Sequence, residues 1–170
     1  LYNQGLVKSE VIQAIAKDQE WRALTPATPE ELAEVAAASV PKLNSAAWPI
    51  VSASNRSDAD YAKALQMAER LLELVPQDGL VLNTVGLAQY RAGQYEAAIE
   101  TLSRSAVLNA AKYPGSPHDN VFLAMAHQRL GNGGAAQALL AKMRELIPAL
   151  PNSKDKNELL GFLREANDLI

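Results

Sequence analysis

Two stretches of this chain repeat one another at a fixed distance, and this internal repetition constrains the fold more than any other feature. Residues 85–106 align with residues 123–144 at an offset of 38 residues. A weaker copy lies 34 residues upstream of the first, around Tyr61 and Ala64. A period in this range, with a glycine between two stretches rich in small residues, is typical of arrays of paired helices. Six of the 22 aligned positions are identical, namely Ala88/Ala126, Arg91/Arg129, Gly93/Gly131, Ala97/Ala135, Ala98/Ala136 and Leu102/Leu140.

Small residues in each repeat predict that its two helices pack closely. Gly86 on the first helix stands twelve residues before Ala98 on the second, so we expect them to meet where the antiparallel backbones approach most closely. Gly93 and Gly131 follow the first helix of their repeats. We expect a positive φ at both, because glycine ends a helix without a Cβ penalty. Proline cannot prolong a helix, so the second helices of the flanking repeats are predicted to end before Pro76 and Pro148.

Start signals predict further helices on both sides of the repeats. Pro29 predicts the first turn of an N-terminal helix that runs to about Ser39, and a separate helix is predicted to begin between residues 44 and 46. Ser57 predicts the N-cap of a long helix that reaches Val75. A last helix is predicted after residue 151. Its predicted N-cap is Asp155, and its apolar side is formed by Leu159, Leu163, Ala166 and Ile170.

Composition and charge argue against several functions. The net charge is −3 and no cluster of Lys and Arg could neutralise phosphates, so we expect neither nucleic-acid nor anionic-membrane binding. The chain contains no cysteine, which excludes disulfides and thiolate chemistry and fits a cytoplasmic protein. No apolar run approaches the roughly 20 residues that a membrane helix needs. Since the chain begins at Leu1 and has no signal peptide, we expect it to be a fragment of a longer protein.

Three local patterns look like reactive sites, and each has a simpler explanation. Ser116, His118 and Asp119 share one loop, whereas a catalytic triad needs side chains that converge in space; a turn in which Ser116 or Asp119 caps the next helix is favoured. The glycines at 131–134 follow a predicted helix instead of a strand and lack the lysine of a phosphate-binding loop. His118 and His127 match no ligand spacing of known metal sites. We therefore predict no catalytic residue, no metal site and no cofactor.

A set of small, apolar and aromatic residues recurs at matching positions of the repeats. They are Trp48, Tyr61, Ala64, Pro76, Leu82, Val85, Gly86, Gly93, Tyr95, Ala98, Leu102, Ser105, Leu123, Ala124, Gly131, Ala136, Leu140 and Pro148. At these positions the repeats resemble the tetratricopeptide repeat (TPR) family. The resemblance implies an all-α fold, a right-handed superhelical array of antiparallel helix pairs (a TPR-like α-solenoid) with N- and C-terminal capping helices. It implies an N-terminal helical cap at 1–44, repeats at 45–78, 79–112 and 117–150 with an insert at 113–116, and a C-terminal capping helix at 151–170.

Two segments outside the repeats resemble a narrower group of proteins. Residues 43–48 read Leu-Asn-Ser-Ala-Ala-Trp, and residues 158–166 read Glu-Leu-Leu-Gly-Phe-Leu-Arg-Glu-Ala. Both are similar to the C-terminal TPR segments of large bacterial multidomain proteins with protein kinase or WD-repeat domains upstream. This resemblance implies a bacterial protein with a signalling domain before the repeats.

The TPR resemblance also implies a binding groove along the exposed side of the first helices. Arg91 and Arg129 occupy the same repeat position there, and their guanidinium groups could bind carboxylates of a partner. In the alternative, neighbouring helices or residues 1–44 cover this face. The predicted groove residues are Asn83, Leu87, Tyr90, Arg91, His118, Val121, Met125, Gln128 and Arg129. The clamp that some TPR domains use for the acidic C-termini of chaperones is absent, since the matching positions are Pro49, Ala53, Thr84, His118 and Phe122.

These patterns together predict a non-catalytic module for protein–protein interaction or scaffolding, which binds a peptide or protein partner in the groove. The alternative is a structural domain that packs intramolecularly on upstream domains of a larger signalling protein. An enzyme would need a pocket with convergent polar groups, and no stretch of the sequence indicates one.

Overall fold

The regular structure of the described residues is entirely helical. The computed structural model describes residues 29–113 and 116–170, and no strand occurs among them. The predicted all-α fold is confirmed. Predictions that concern residues 1–28 lie outside the described residues. The helices are α1 (Pro29–Val51), α2 (Asp58–Leu74), α3 (Gly79–Arg91), α4 (Tyr95–Asn109), α5 (Pro117–Arg129), α6 (Gly133–Ala149) and α7 (Lys154–Leu169).

The helices pack as hairpins, and the odd-numbered helices also contact one another. Helix α1 packs on α2, α3 on α4, and α5 on α6. In addition, α1 contacts α3, α3 contacts α5, and α5 contacts α7. Within residues 29–113 and 116–170, the even-numbered helices contact only helices adjacent to them in sequence. The odd-numbered helices therefore form one continuous layer, called the odd-helix layer below, with α2, α4 and α6 beside it.

One hydrophobic core joins all seven helices. Every helix contributes at least one side chain that water does not reach, so the hairpins are held together by burial and not by their connections alone. The largest fully buried side chains are Val40, Leu71, Leu82, Leu87, Leu102, Phe122, Met125, Leu140, Met143, Ile147 and Leu159.

Glycines end α3 and α5 in the same way, as predicted. Gly93 has φ 79° and Gly131 has φ 80°. The N–H of Gly93 donates to the carbonyl of Tyr90, and the next N–H along the chain donates to the carbonyl of Gln89. The same two bonds recur after α5. This pair of bonds satisfies carbonyls at the helix end and requires the left-handed conformation that glycine adopts without strain.

Gly86 marks the closest approach of α3 to α4, although its neighbour differs from the predicted one. A Cβ at Gly86 would lie 2.5 Å from Cγ of Leu102, a side chain that is fully buried. The sequence predicted Ala98 as the facing residue. Leu102 follows it by four residues, one helical turn, and its branched side chain fills the space that Gly86 leaves.

We expect Gly86→Val to lower the free energy of unfolding by about 2 kcal/mol, because the new side chain would overpack against Leu102. Gly161→Ala is the matched control, since a Cβ there would come no closer than 3.9 Å to a neighbouring side chain. That control should raise stability by about 0.5–1 kcal/mol through helix propensity. Urea denaturation measures both changes. Unchanged stability of Gly86→Val would contradict the close approach.

Two helices contain prolines at places where the sequence predicted a helix boundary. Pro76 follows α2 as predicted, but Pro148 lies within the last turn of α6. Helix α1 is continuous through Pro41 and Pro49, whereas the sequence predicted two separate helices. Each internal proline removes a hydrogen bond at a cost of up to about 3 kcal/mol, which burial along the helix offsets. Among residues 38–51 of α1, the buried side chains are Val40, Ala47 and Val51.

One predicted N-cap is confirmed and another is wrong. The Ser57 hydroxyl accepts from the backbone N–H of Asp60 at 3.2 Å and donates to its carboxylate at 2.8 Å. Helix α7 is capped by Ser153, whose hydroxyl accepts from the N–H of Lys156 at 3.1 Å. Asp155, the predicted cap, lies in the first turn instead, because the helix begins two residues earlier than that cap implies. Its carboxylate still interacts favourably with the positive end of the helix dipole.

Candidate functional site

The residues predicted to line an exposed groove lie on the odd-helix layer, but most of them are buried. Asn83, Leu87, Tyr90, Val121 and Met125 are buried. His118, Arg91 and Gln128 are intermediate in exposure, and Arg129 is exposed. The predicted exposure is therefore wrong for five of the nine residues. The physical reason is that the odd-helix layer is packed on itself, since α1 contacts α3 and α7 contacts α5.

Arg91 has the most complete set of partners in this region, and its side chain is only 6% exposed. Its guanidinium donates to both carboxylate oxygens of Glu165 on α7, and its Nε donates to the carbonyl of Val51 at 2.9 Å. The guanidinium carbon lies 5.2 Å from the ring centre of Phe122 and 5.6 Å from that of Tyr90. A bidentate ion pair combined with ring contacts holds α1, α3, α5 and α7 together at one point.

Arg129 differs from Arg91 although both occupy the same repeat position. It is exposed and interacts with the Tyr90 hydroxyl. Burial raises the pKa of Tyr90 above its ordinary value, and the neighbouring Arg129 opposes that change. The Glu165 carboxylate also acts on Arg129 through charge attraction. The two arginines thus provide positive charge around one carboxylate, but only Arg91 has a buried side chain.

Helix α7, which the sequence predicted only as a cap, docks on the odd-helix layer through specific side-chain contacts. Glu158 accepts from the indole Nε1 of Trp48 at 3.1 Å, across 110 residues of sequence. The ring of Phe162 lies 5.0 Å from Phe122 and 6.0 Å from His118, edge to face in both cases. Glu158 and Phe162 are four residues apart and therefore share one face of the helix. This spacing is the sequence signal that could have indicated their contact with the odd-helix layer.

A partly open cleft of about 260 Å³ remains beside these contacts. It lies at the N-terminal ends of α3, α5 and α7 and against the second half of α1. Two of the predicted groove residues, Asn83 and His118, line it. Other residues that line it are Trp48, Tyr113, Asp119, Asp155 and Glu158. The volume accommodates one or two side chains, so it suits an extended segment better than a whole helix.

Burial controls ionisation in this cleft. It lowers the pKa of His118, against the attraction of the Asp155 carboxylate, and so favours the neutral imidazole. It raises the pKa of Glu158, although the hydrogen bond from Trp48 opposes the change. The His118 imidazole lies 3.9 Å from the Glu158 carboxylate. Because the imidazole is held neutral, this contact contributes little charge attraction.

Asp119 belongs to a buried network of neutral donors. The amide of Asn83 donates to its carboxylate at 2.8 Å, Ser105 is a second hydrogen-bond partner, and only 3% of Asp119 is exposed. Burial raises the pKa of Asp119 to about 6. The side chain does not cap α5, nor does Ser116, whose hydroxyl donates to the carbonyl of Ala106 at 2.9 Å. Ser116 occupies the predicted N-cap position of α5, but neither side chain makes the capping hydrogen bond, because both have partners elsewhere.

We expect Asp119→Asn to stabilise the fold at neutral pH by up to about 3 kcal/mol, because the wild-type carboxyl has a folded pKa near 6 against 3.8 when unfolded. The contribution of the protonated carboxyl is fully present below pH 3.8 and is lost as the pH rises through about 6. Urea unfolding at pH 3.5, 5 and 7.5 measures it. The stability of the wild type relative to Asp119→Asn should fall along this series; parallel curves would contradict the assignment.

The described residues lack a metal-binding cluster and a membrane-spanning helix. Residues 29–113 and 116–170 contain no group of three or more His, Asp or Glu side chains arranged to hold a metal ion. No helix in the same part of the chain combines the length and the apolar character needed to cross a membrane.

Comparison with protein-family models, with curated proteins and with solved structures finds no significant match to this chain in any of the three.

Proposed function

We propose that this chain is a non-catalytic protein–protein interaction and scaffolding module built as a TPR-like α-solenoid. Three repeats would form a right-handed superhelical array, with the segments before and after them as caps. The 38-residue internal repetition and the two matching glycine-terminated helices support this assignment. By resemblance, we also propose a cytoplasmic protein of bacterial origin.

The partner would bind on the odd-helix layer. The observation that carries this proposal is the cleft of about 260 Å³, which gathers side chains from α1, α3, α5 and α7 onto one surface. Aromatic walls at Trp48 and Tyr113 offer contact area, and the His118 imidazole and the exposed Asp155 carboxylate offer hydrogen bonds. Such a mixture of aromatic and polar groups is typical of sites that bind a peptide segment.

The test compares capture of partners by the chain and by a cleft variant. Tyr113→Ala combined with Asp155→Lys alters two exposed residues of the cleft and should leave the fold intact. Glu69→Lys, on the exposed side of α2, is the matched charge control. Each immobilised protein is incubated with lysate of the source cell. A protein retained by the wild type and the control, but lost from the cleft variant, supports the proposal; equal retention by all three overturns the cleft assignment.

A second candidate function is a structural one, in which the array packs on an upstream domain of a larger signalling protein. Three exposed large apolar side chains favour it, two in the last turn of α4 and one just after that helix: Val107 is 75% exposed, Leu108 46% and Tyr113 40%. Apolar residues grouped in this way often mark an interface. If these side chains pack on an upstream domain, they are left exposed in the isolated chain and promote its self-association. Val107→Ser combined with Leu108→Ser should then reduce that self-association, which light scattering measures. An unchanged signal would argue against this candidate.

A further inference from the structure

Three carboxylates line the cleft, and no lysine or arginine is among the described residues that line it. Asp119 lies on α5, and Asp155 and Glu158 lie on α7. The burial that keeps the His118 imidazole neutral leaves it without a positive charge to offset them. Lys154 attracts the Glu158 carboxylate, but it is exposed and lies outside the cleft lining. Because carboxylates of one sign of charge surround it, the cleft attracts a cation.

Asp119 is the most buried of these carboxylates and lacks a cationic partner. It is 3% exposed, and its hydrogen-bond partners among the described residues are Asn83 and Ser105, which are both neutral. A carboxylate has about four acceptor positions, so two hydrogen bonds leave capacity unused. Buried charges in proteins are normally paired. A cation that enters the cleft would supply the missing partner.

Most side-chain donors around the cleft are already used within the fold, whereas acceptors remain. The Oδ1 atom of Asn44 is buried and has no hydrogen-bond partner among the described residues. Rotation of this half-buried side chain would offer the oxygen to a donor group of a ligand. A ligand that carries several N–H groups would therefore complement the cleft. The side chains whose donors are used within the fold are Trp48, Asn83, Thr84, Asn109 and Ser116.

The helix N-termini at the cleft do not make it a site for anions, because carboxylates of the chain already compensate them. The Asp78 carboxylate accepts from the N–H groups of Leu80 at 2.9 Å and Val81 at 3.0 Å, at the start of α3. Asp119 and Asp155 lie in the first turns of α5 and α7. Since a helix N-terminus carries roughly half a positive charge, each carboxylate more than offsets it. An anionic ligand would therefore be repelled.

An aromatic ring beside the carboxylates favours arginine over lysine. The Trp48 ring lies against His118, with 6.5 Å between the ring centres, and both line the cleft. The Tyr113 ring already has the Lys112 ammonium 5.1 Å from its centre, so we place the ligand against Trp48. A guanidinium stacks on such a ring and binds carboxylates through paired N–H groups, whereas an ammonium is a compact point charge.

We propose that the cleft binds an arginine side chain of the partner, with its guanidinium against the Trp48 ring and between the carboxylates of Asp119, Asp155 and Glu158. Helix α7 stays in place, because it supplies two of the three carboxylates. The volume of about 260 Å³ holds one such side chain. The proposal rests on the function proposed above and specifies the chemistry that the partner presents.

The test titrates the peptide acetyl-Gly-Arg-Gly-amide into the ¹⁵N-labelled full chain at pH 7.5 and low salt. At this pH the Asp119 carboxyl, whose pKa is about 6, is mostly ionised. We expect saturable shifts of the Trp48 indole N–H, assigned with a Trp21→Phe variant, and of the His118 amide. A single side chain should bind with a dissociation constant on the order of 1 mM.

Two control peptides test the charge of the ligand. The peptide with citrulline, a neutral isostere of arginine, should bind about tenfold more weakly, because charge-assisted hydrogen bonds are lost. The peptide with glutamate should cause no saturable shift. If either control peptide binds as tightly as the arginine peptide, or if the arginine peptide causes no shift, the proposal is overturned.

Variants of the chain test the position of the site. Asp119→Asn should weaken binding of the arginine peptide by about tenfold, although the same change is expected above to stabilise the fold, so the loss would not reflect unfolding. Asp155→Asn, at an exposed position, should weaken binding in the same direction. Glu69→Gln removes an exposed carboxylate of α2 and should leave binding unchanged. Equal affinity of the Asp119, Asp155 and Glu69 variants for the peptide would overturn the assignment to the cleft.

The failures of the two proposals are distinguishable. If the arginine peptide does not bind but a lysate protein is still lost from the Tyr113→Ala/Asp155→Lys variant, the cleft binds a ligand of different chemistry and only the arginine site is wrong. If the peptide binds as expected but no lysate protein depends on the cleft, the arginine site is supported and the proposed function is wrong. If neither is observed, both proposals are wrong.

Discussion

Arg91→Ala should lower the free energy of unfolding by about 3 kcal/mol, since removing one member of a buried ion pair leaves the other charge without its partner. The Arg91 guanidinium is almost fully buried and donates to Glu165 and to the carbonyl of Val51. Its removal also takes away the cation from the rings of Phe122 and Tyr90. The measurement is urea unfolding followed by circular dichroism.

Arg129→Ala is the matched control, because this arginine has the same repeat position and is exposed. We expect it to cost less than about 1 kcal/mol, the range of exposed charge interactions. Equal losses for the two variants would mean that position in the repeat, and not burial against α7, decides the contribution. A further variant, Glu165→Gln, should reproduce part of the loss at Arg91, since it retains a hydrogen-bond acceptor but removes the charge.

Phe122→Ala should have a still larger effect, about 4 kcal/mol, because it deletes a fully buried ring and leaves a cavity. The ring lies 5.4 Å from Tyr90 and 5.0 Å from Phe162, both edge to face, so aromatic pairing is lost as well as buried area. Chemical denaturation measures the change in stability.

The Phe122 prediction has an internal check. A double-mutant cycle of Phe122→Ala and Phe162→Ala should give a coupling of about 1 kcal/mol, as expected for aromatic side chains in contact. Tyr113→Ala, at an exposed ring, should cost less than about 0.5 kcal/mol. Additive losses at Phe122 and Phe162 would contradict their direct contact in the folded state.

Features determined by a few adjacent residues could be predicted from the sequence. Gly93 and Gly131 end helices because only glycine adopts their positive φ without strain, and Ser57 caps α2 through a hydroxyl close to the N–H groups that it satisfies. The all-α class follows from helical periodicity and abundant alanine, which are properties of whole segments. Such signals do not depend on the arrangement of distant parts of the chain.

Features determined by distant partners could not be predicted. Arg91 has the same repeat position as Arg129, yet its burial depends on Glu165, 74 residues away. Helix α1 continues through Pro41 and Pro49 because tertiary packing outweighs the local cost of proline, which a local rule does not include. The repeat phase predicts that Asn83 and His118 share one face, and both line the cleft, but burial of that face depends on how α1 and α7 meet it.

The hydrogen bond from Trp48 to Glu158 also implies an order in which parts of the chain fold. It joins residues 110 apart, so a ribosome that adds about 5–20 residues per second completes α1 several seconds before Glu158 exists. Closing so long a loop is also slow in refolding. We expect Trp48 fluorescence, followed in a Trp21→Phe background, to reach its native value after the helical circular dichroism signal, and simultaneous signals would contradict this order. During synthesis, α1 is therefore made well before α7, and Trp48 acquires its contact with Glu158 late.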